Sequence, residues 1–145
     1  MKKIIFLTVI ILSLLTLQAK PKKKIADNLP LLNTKWVLKE VFETQIIHNL
    51  DTAFIIFYDN YKFSGNFGCN FFFGEFNFRK KRIKLDYMGA TKKLCANMEI
   101  EERFFKAIKY DITHYYMDKN YLYLIHKLKV ICKFKGADNV IMIND

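Results

Sequence analysis

Proline and glycine are scarce in this chain of 145 residues, which has two prolines and five glycines. Fourteen Phe and eight Tyr far outnumber them, and aromatic enrichment of this kind favours strands over helical bundles. Hydrophobic residues make up 52% of the chain, which is ample for a packed core and argues against global disorder. We therefore expect about one folded domain, built mainly from β-sheet.

Residues that carry common catalytic chemistry are also few. Beyond residue 19 the chain has a single serine, Ser64, and its neighbours do not form a nucleophile elbow. The histidines His48, His114 and His126 lie far apart in sequence and have no Cys, His or Asp partner at metal-ligand spacing. We therefore predict a protein that is not an enzyme and has no catalytic residue, no metal site and no cofactor.

No cysteine lies near residue 20, so a lipid attached to a leader cysteine is not expected. Residues 1–19 otherwise have the form of a secretory signal, with an apolar stretch too short to span a bilayer comfortably and Ala19 for cleavage. Positive charge directly after this segment resists translocation, so an uncleaved anchor is the alternative. The charge is carried by Lys20, Lys22, Lys23 and Lys24, for which we also expect weak contact with an anionic membrane surface.

Residues 20–30 are predicted to be a basic, flexible lead-in, and residues 31–145 the folded domain. The location predicted from the leader is outside the cytoplasm: periplasmic, associated with the cell envelope, or secreted. Apart from the cluster at residues 79–82, the remaining basic residues alternate along predicted strands, and this pattern is typical of a solvated surface.

Apolar residues alternate with polar ones through most of the domain, which predicts β-strands. About eight short strands with tight turns indicate a curved antiparallel sheet or a lipocalin-like barrel. The predicted strands cover residues 34–43, 53–58, 61–64, 71–78, 83–88, 113–117, 121–126 and 129–135. In the last strand, Val130, Cys132 and Phe134 are expected on one face.

The hydrophobic period changes to 3.6 only once, predicting one α-helix over about residues 98–109 that plugs or covers the sheet. Asn97 is expected to be its N-cap. Acidic residues at the start and lysines at the end match the helix dipole, so we assign the acids no role in acid–base catalysis. These acids are Glu99, Glu101 and Glu102.

The glycines of the loop predicted at residues 65–70 are Gly65 and Gly68, which could suggest a phosphate cradle. The loop joins strand to strand and lacks the helix N-terminus that anion sites use. We expect these glycines to supply positive φ angles instead. Gly74, inside a strongly aromatic strand, predicts a bulge, a bend or a close backbone approach.

Cys69 and Cys95 flank two predicted strands and lie at the ends of loops. In an exported protein they meet an oxidising compartment, so we predict a disulfide between them, with two free thiols as the alternative. Cys132 lies at an inward strand position and is expected to be a small buried hydrophobe.

The aromatic strand followed by the basic cluster Arg79–Arg82 is a pattern that some single-strand binding proteins share. Most of these phenylalanines are required for the core, and the predicted export signal also argues against a nucleic-acid partner. We expect no nucleic-acid partner.

Several short motifs follow one another along the chain: Trp36 in the first predicted strand, Gly68, Cys69 and Asn70 followed by Gly74, then Thr91 and Cys95, and Glu102 in the predicted helix. Their order and spacing, from about Leu31 to Phe134, resemble those of the META/HslJ domain family. The resemblance implies a small, mostly antiparallel fold with one helix, found in secreted, periplasmic or envelope proteins linked to heat shock, stress or virulence, with no established enzymatic activity. It also implies that the signature residues are structural. They are Trp36, Gly68, Cys69, Asn70, Gly74, Thr91, Cys95 and Glu102.

We expect the domain to act as a monomer that binds an unknown protein or envelope component. Two alternatives remain open. One is a carrier of a small apolar ligand inside a barrel, which needs an open cavity. The other is an enzyme inhibitor or a cryptic enzyme, which needs a protruding loop or a polar cluster in a cleft.

Overall fold

The computed structural model of the chain describes residues 30–46, 52–96 and 98–137. The predicted leader, the lysines at residues 20–24, His48 and Asn97 lie outside the described residues.

The described residues form nine β-strands and one α-helix, which agrees with the mainly β fold that the sequence predicts. The strands are β1 (Lys35–Val41), β2 (Thr44–Gln45), β3 (Ala53–Phe57), β4 (Lys62–Phe67), β5 (Phe71–Arg79), β6 (Arg82–Ala90), β7 (His114–Asp118), β8 (Tyr121–His126) and β9 (Lys129–Gly136). The helix, α1 (Glu99–Ile108), lies between β6 and β7.

The sheet is antiparallel throughout and closes into a ring. From β3 to β9 each strand pairs with the next in sequence, and β1 pairs with both β3 and β9. Trp36 lies opposite Gly136, and Val41 lies opposite Cys132. Among the described strands, the short β2 pairs with the end of β1 alone. The curved, lipocalin-like sheet predicted from the sequence is therefore confirmed.

The ring is weakest between β6 and β7. Eight residue pairs join β5 to β6, whereas the single pair Arg82–His114 joins β6 to β7. Two backbone hydrogen bonds reinforce this junction, from Ile83 N to Thr113 O at 3.2 Å and from Tyr115 N to Lys81 O at 3.0 Å. Within the described ranges, the rest of β6 has a strand partner on one side only.

Large side chains fill the interior of the ring. Strand alternation directs one face of each strand inward, and α1 adds the buried side chains of Phe104, Ala107 and Ile108. The ring of Phe104 meets Phe67 and Phe72 edge-on, with centroids 5.4 and 5.5 Å apart. The helix therefore plugs the ring, as predicted. The largest fully buried side chains are Trp36, Phe57, Phe63, Phe67, Phe72, Phe104 and Phe134.

Two local predictions are wrong. Gly65 was expected to supply a positive φ angle in a loop, but it belongs to β4, which extends to Phe67. Glycine is required there by close packing, because a Cβ would overlap Phe54 O and the Phe72 ring. Only Gly68, with φ of 125°, is a left-handed glycine among the described residues. The helix N-cap position is Met98 rather than Asn97, and it makes no side-chain capping hydrogen bond.

The inward face predicted for β9 also needs correction at its start. Cys132 and Phe134 are fully buried, but Val130 is 39% exposed and Ile131 is buried instead. A register shift between Leu124 and Ile125 on the facing strand inserts one extra residue in β9. Because side chains alternate with a period of two, the bulge moves Val130 to the outer face.

Candidate functional site

The side chain of Asn70 lies at the centre of a buried polar cluster where β4 turns into β5. Its Oδ1 accepts hydrogen bonds from Thr91 Oγ1 at 2.8 Å and from Lys93 N at 2.7 Å. Its Nδ2 donates to Lys93 O at 3.0 Å and to Glu101 Oε1 at 2.6 Å. Asn70 is 2% exposed, so every polar atom of its side chain is satisfied within the protein.

Glu101 joins the same cluster from the first turn of α1. Its Oε2 accepts hydrogen bonds from two successive backbone amides, Cys69 N at 3.2 Å and Asn70 N at 2.8 Å. Its carboxylate is almost fully buried, and charge-assisted hydrogen bonds of this kind are the stronger ones. Glu101 therefore ties the helix to the β4–β5 turn.

A disulfide between Cys69 and Cys95 forms the covalent part of this connection. The Cα atoms of the two residues are 6.4 Å apart. Thr91 Oγ1 also accepts a hydrogen bond from Phe71 N at 3.1 Å. The segment Thr91–Cys95 is thus held to the β4–β5 turn by Thr91, by Lys93 and by the disulfide at its end.

The other predicted signature residues have separate roles. Trp36 is fully buried and donates its Nε1–H to Leu31 O at 3.0 Å. Gly74 lies at a register shift between β5 and β6, and a Cβ there would overlap Asp86 O and the Phe63 ring. The close approach predicted for this glycine is therefore confirmed, whereas the bulge beside it lies in the facing strand β6.

Glu102 differs from its neighbour. The side chain of Glu102 is exposed. The buried hydrogen bonds are made by the carboxylate of Glu101, for which the sequence predicted only an interaction with the helix dipole. A signal for Glu101 was present in the sequence. It lies three and seven residues before Phe104 and Ile108, on the stripe that faces the core.

The model of the META domain family matches residues 29–138. The chain belongs to this family. A solved NMR structure of a protein is similar to the META domain described here, with a TM-score of 0.58 and 22% identity over 73% of this chain and 91% of that chain. At this level of identity the likeness concerns the fold. No curated protein matches the sequence.

An open groove of about 320 Å³ lies beside the polar cluster of the META domain. We name it the helix groove. It lies between the end of β6, the segment Thr91–Cys95 and α1, and its lining includes Phe67, Tyr87, Ala90, Leu94, Met98 and Phe105. Burial raises the pKa of Tyr87.

Leu94 stands at the edge of the helix groove and is 98% exposed. An exposed apolar residue on a mobile loop is common and needs no explanation. Leu94, however, lies between Lys93, whose backbone is hydrogen-bonded to Asn70, and Cys95, which is disulfide-bonded. The fold therefore holds the backbone on both sides of Leu94, and the apolar side chain extends from it into the solvent.

The remaining chemically active residues that the structure describes do not converge. Cys132 is a free, fully buried cysteine, and burial raises the pKa of its thiol well above the ordinary value. His114 Nδ1 contacts Thr113 Oγ1 and His126 Nδ1 contacts Asp111 O. In the described part of the chain, no three His, Cys, Asp or Glu residues are grouped so that they could hold a metal ion. None of the helices described there has the length and apolar character to cross a membrane.

Proposed function

We propose that this META domain is a non-enzymatic, exported domain of the cell envelope or of secreted proteins, and that it binds a protein or an envelope component. The binding surface consists of the segment Thr91–Cys95 and the adjacent helix groove. The observation that carries this proposal is the full exposure of Leu94 on a segment that Asn70 and a disulfide hold in place.

A pre-ordered loop loses little conformational entropy when it binds, so its contacts contribute more fully to affinity. Binding residues are often placed on loops that a rigid scaffold positions. Here the polar cluster around Asn70 and Glu101 is the scaffold, and Leu94 and the helix groove are the surface that it presents.

The disulfide supports the proposed location. Disulfides persist in oxidising compartments such as the periplasm and the extracellular space, and they are rare in the cytosol. The Cys69–Cys95 bond is therefore consistent with export, in line with the secretory signal that the sequence suggests at residues 1–19.

The packing of the interior favours binding at the surface over transport of a small apolar ligand within the ring. A carrier needs an open apolar cavity, commonly of several hundred Å³. The aromatic side chains that would line such a cavity pack against one another here: the stacked rings of Phe67 and Phe72 have centroids 4.0 Å apart, and Phe104 closes over both.

The test compares two leucines that are equally exposed. Leu94 lies at the proposed surface, and Leu128, which is 100% exposed, lies in the turn between β8 and β9. The tagged wild-type chain, Leu94→Ser and Leu128→Ser are used as baits in envelope extracts at low salt, and the recovered proteins and lipids are compared. We expect Leu94→Ser to lose the recovered partner and Leu128→Ser to retain it. Equal recovery by both variants, or no recovery above background by the wild type, would contradict the proposal.

A further inference from the structure

Among the residues that the structure describes, the edge of β6 that faces away from β5 has no strand partner beyond Arg82, the first residue of the strand. After Ile83, whose N–H reaches Thr113, no backbone hydrogen bond from the described part of the chain reaches residues Lys84 to Ala90 on that side. We name this stretch the β6 edge. Alternate residues of a strand direct their N–H and C=O groups to the same side, so the β6 edge presents free donors and acceptors.

Two grooves border the β6 edge, one at each end. The first, of about 510 Å³, lies between the β5–β6 hairpin and residues 111–114, and Arg79, Arg82 and Lys84 are part of its lining. The second is the helix groove, whose lining includes Tyr87 and Ala90 from β6. An added strand along this edge would therefore find space for its side chains at both ends.

The sequence around the β6 edge is strongly basic. Residues 79–93 contain seven Lys or Arg and a single acid, Asp86. Asp86 is paired with Lys84 at 2.9 Å, and none of the other six cations forms a salt bridge with an acid in the described ranges. The whole chain carries a net charge of +10, which disfavours a second copy as the partner and favours an acidic one.

A bulge limits the length of the edge that can pair. Phe73 lies opposite Gly89 and Gly74 lies opposite Tyr87, so Met88 is an extra residue in β6. Bulges interrupt a ladder and turn the strand. The uninterrupted part of the β6 edge is therefore Lys84 to Tyr87, enough to pair with about four residues of a partner.

We propose that the β6 edge binds an extended, acidic segment of a partner protein by strand addition. The backbone of the segment pairs with Lys84 to Tyr87. Its acidic side chains face the cations of residues 79–93, three of which line the first groove, and its apolar side chains enter the helix groove. Main-chain hydrogen bonds supply affinity in this mode of recognition, and the side-chain pockets supply specificity. The inference rests on the proposed function, and it names the chemistry of the partner.

The test uses the full chain with its disulfide intact and a fluorescent peptide of eight residues in which Glu and Val alternate. Binding is measured by fluorescence anisotropy, and amide hydrogen exchange is followed by NMR. We expect the peptide to slow exchange at alternate amides of Lys84 to Tyr87. A peptide N-methylated at alternate residues lacks the donors needed for pairing, and we expect it to bind about tenfold more weakly.

A pair of charge variants tests the location. Lys84→Glu reverses a charge on the β6 edge, whereas Lys135→Glu reverses an exposed charge on β9 and changes the net charge by the same amount. We expect Lys84→Glu to weaken binding severalfold more than Lys135→Glu. Protection outside β6, equal binding of the N-methylated peptide, equal effects of the two variants, or protection that depends on protein concentration without peptide would overturn the inference.

The outcomes separate this inference from the function on which it rests. A pull-down that depends on Leu94, together with a peptide that leaves the exchange of β6 unchanged, would overturn strand addition alone. A peptide that protects the β6 edge, together with a pull-down that recovers no partner, would support strand addition and contradict the segment Thr91–Cys95 as a binding surface.

Discussion

Replacing Glu101 with Gln is expected to destabilise the fold strongly, although the two side chains have nearly the same size. Gln has one carbonyl oxygen where Glu has two acceptor oxygens. The carboxylate serves both the backbone amides of Cys69 and Asn70 and the side-chain amide of Asn70. The new NH₂ group must therefore face a donor, whichever way the Gln side chain is turned.

Rotation of the Asn70 side chain does not relieve this conflict. Its Oδ1 already accepts from Thr91 and Lys93, and its Nδ2 also donates to Lys93 O. Losing one charge-assisted hydrogen bond and leaving buried donors opposed should cost about 3 kcal/mol. For a domain of this size, that loss lowers the midpoint of thermal unfolding by on the order of 15 °C.

The matched control is Glu102→Gln, since Glu102 is the next residue of the same helical turn and its side chain is exposed. We expect this variant to lie within about 0.5 kcal/mol of the wild type. Stability is measured by urea and thermal unfolding under non-reducing conditions, followed by circular dichroism. If Glu101→Gln and Glu102→Gln unfold at the same midpoint, the structural role assigned to the Glu101 carboxylate is refuted.

Three further predictions concern the cysteines and one glycine. Cys69→Ser breaks the disulfide to Cys95, which spans a sequence separation of 26. The variant should lower the free energy of unfolding in urea by about 3–4 kcal/mol. Added reductant should have no further effect on it. Burial raises the pKa of the Cys132 thiol, so the thiol ionises readily only in the unfolded chain. The free energy of unfolding should therefore fall as pH rises above the ordinary thiol pKa of about 8.5. Labelling of Cys132 by a thiol reagent in native buffer without urea would contradict its burial. Gly74→Ala, which places a methyl group against Asp86 O and the Phe63 ring, should destabilise the fold by about 1–3 kcal/mol, and an unchanged unfolding midpoint would refute the close approach.

Most of the fold could be predicted from the sequence because its strands and helix carry clear periodic patterns. The alternation of Ile83, Leu85 and Tyr87 with polar residues predicted β6, and the change of period at Ile100 and Phe104 predicted α1. A closed barrel was one of the two architectures that the strand pattern indicated, and closure removes the open edges that make an aromatic sheet prone to aggregation.

The errors arise where a local pattern has two physical explanations. A glycine can be required by a positive φ or by a close contact, and the sequence does not distinguish Gly65 from Gly68. The extra residue at the start of β9 reverses the inward and outward positions, and only pairing with β8 shows where it lies.

The candidate site was predicted in part. Spacing and the family resemblance singled out Asn70, Thr91, Cys69 and Cys95. They did not predict that Glu101 is hydrogen-bonded to Asn70. Two adjacent acids in the first turn of a helix serve its dipole equally well. The choice of Glu101 depends on the rotation of α1 about its axis, which tertiary packing sets.

The pairing of β1 with β9 bears on the order of folding. Trp36 and Gly136 lie opposite each other although nearly the whole domain separates them in sequence, and contacts of such high sequence separation form slowly because loop closure comes first. The hairpins from β3 to β6 and the Cys69–Cys95 bond join residues much closer in sequence. β1 can pair early with β3, since Trp36 lies opposite Ile55, but closure of the ring must wait until β9 arrives during synthesis or translocation. We expect burial of the Trp36 indole to be complete only after that closure. We expect tryptophan fluorescence to report a late, slow step of refolding that follows the gain of most β-structure.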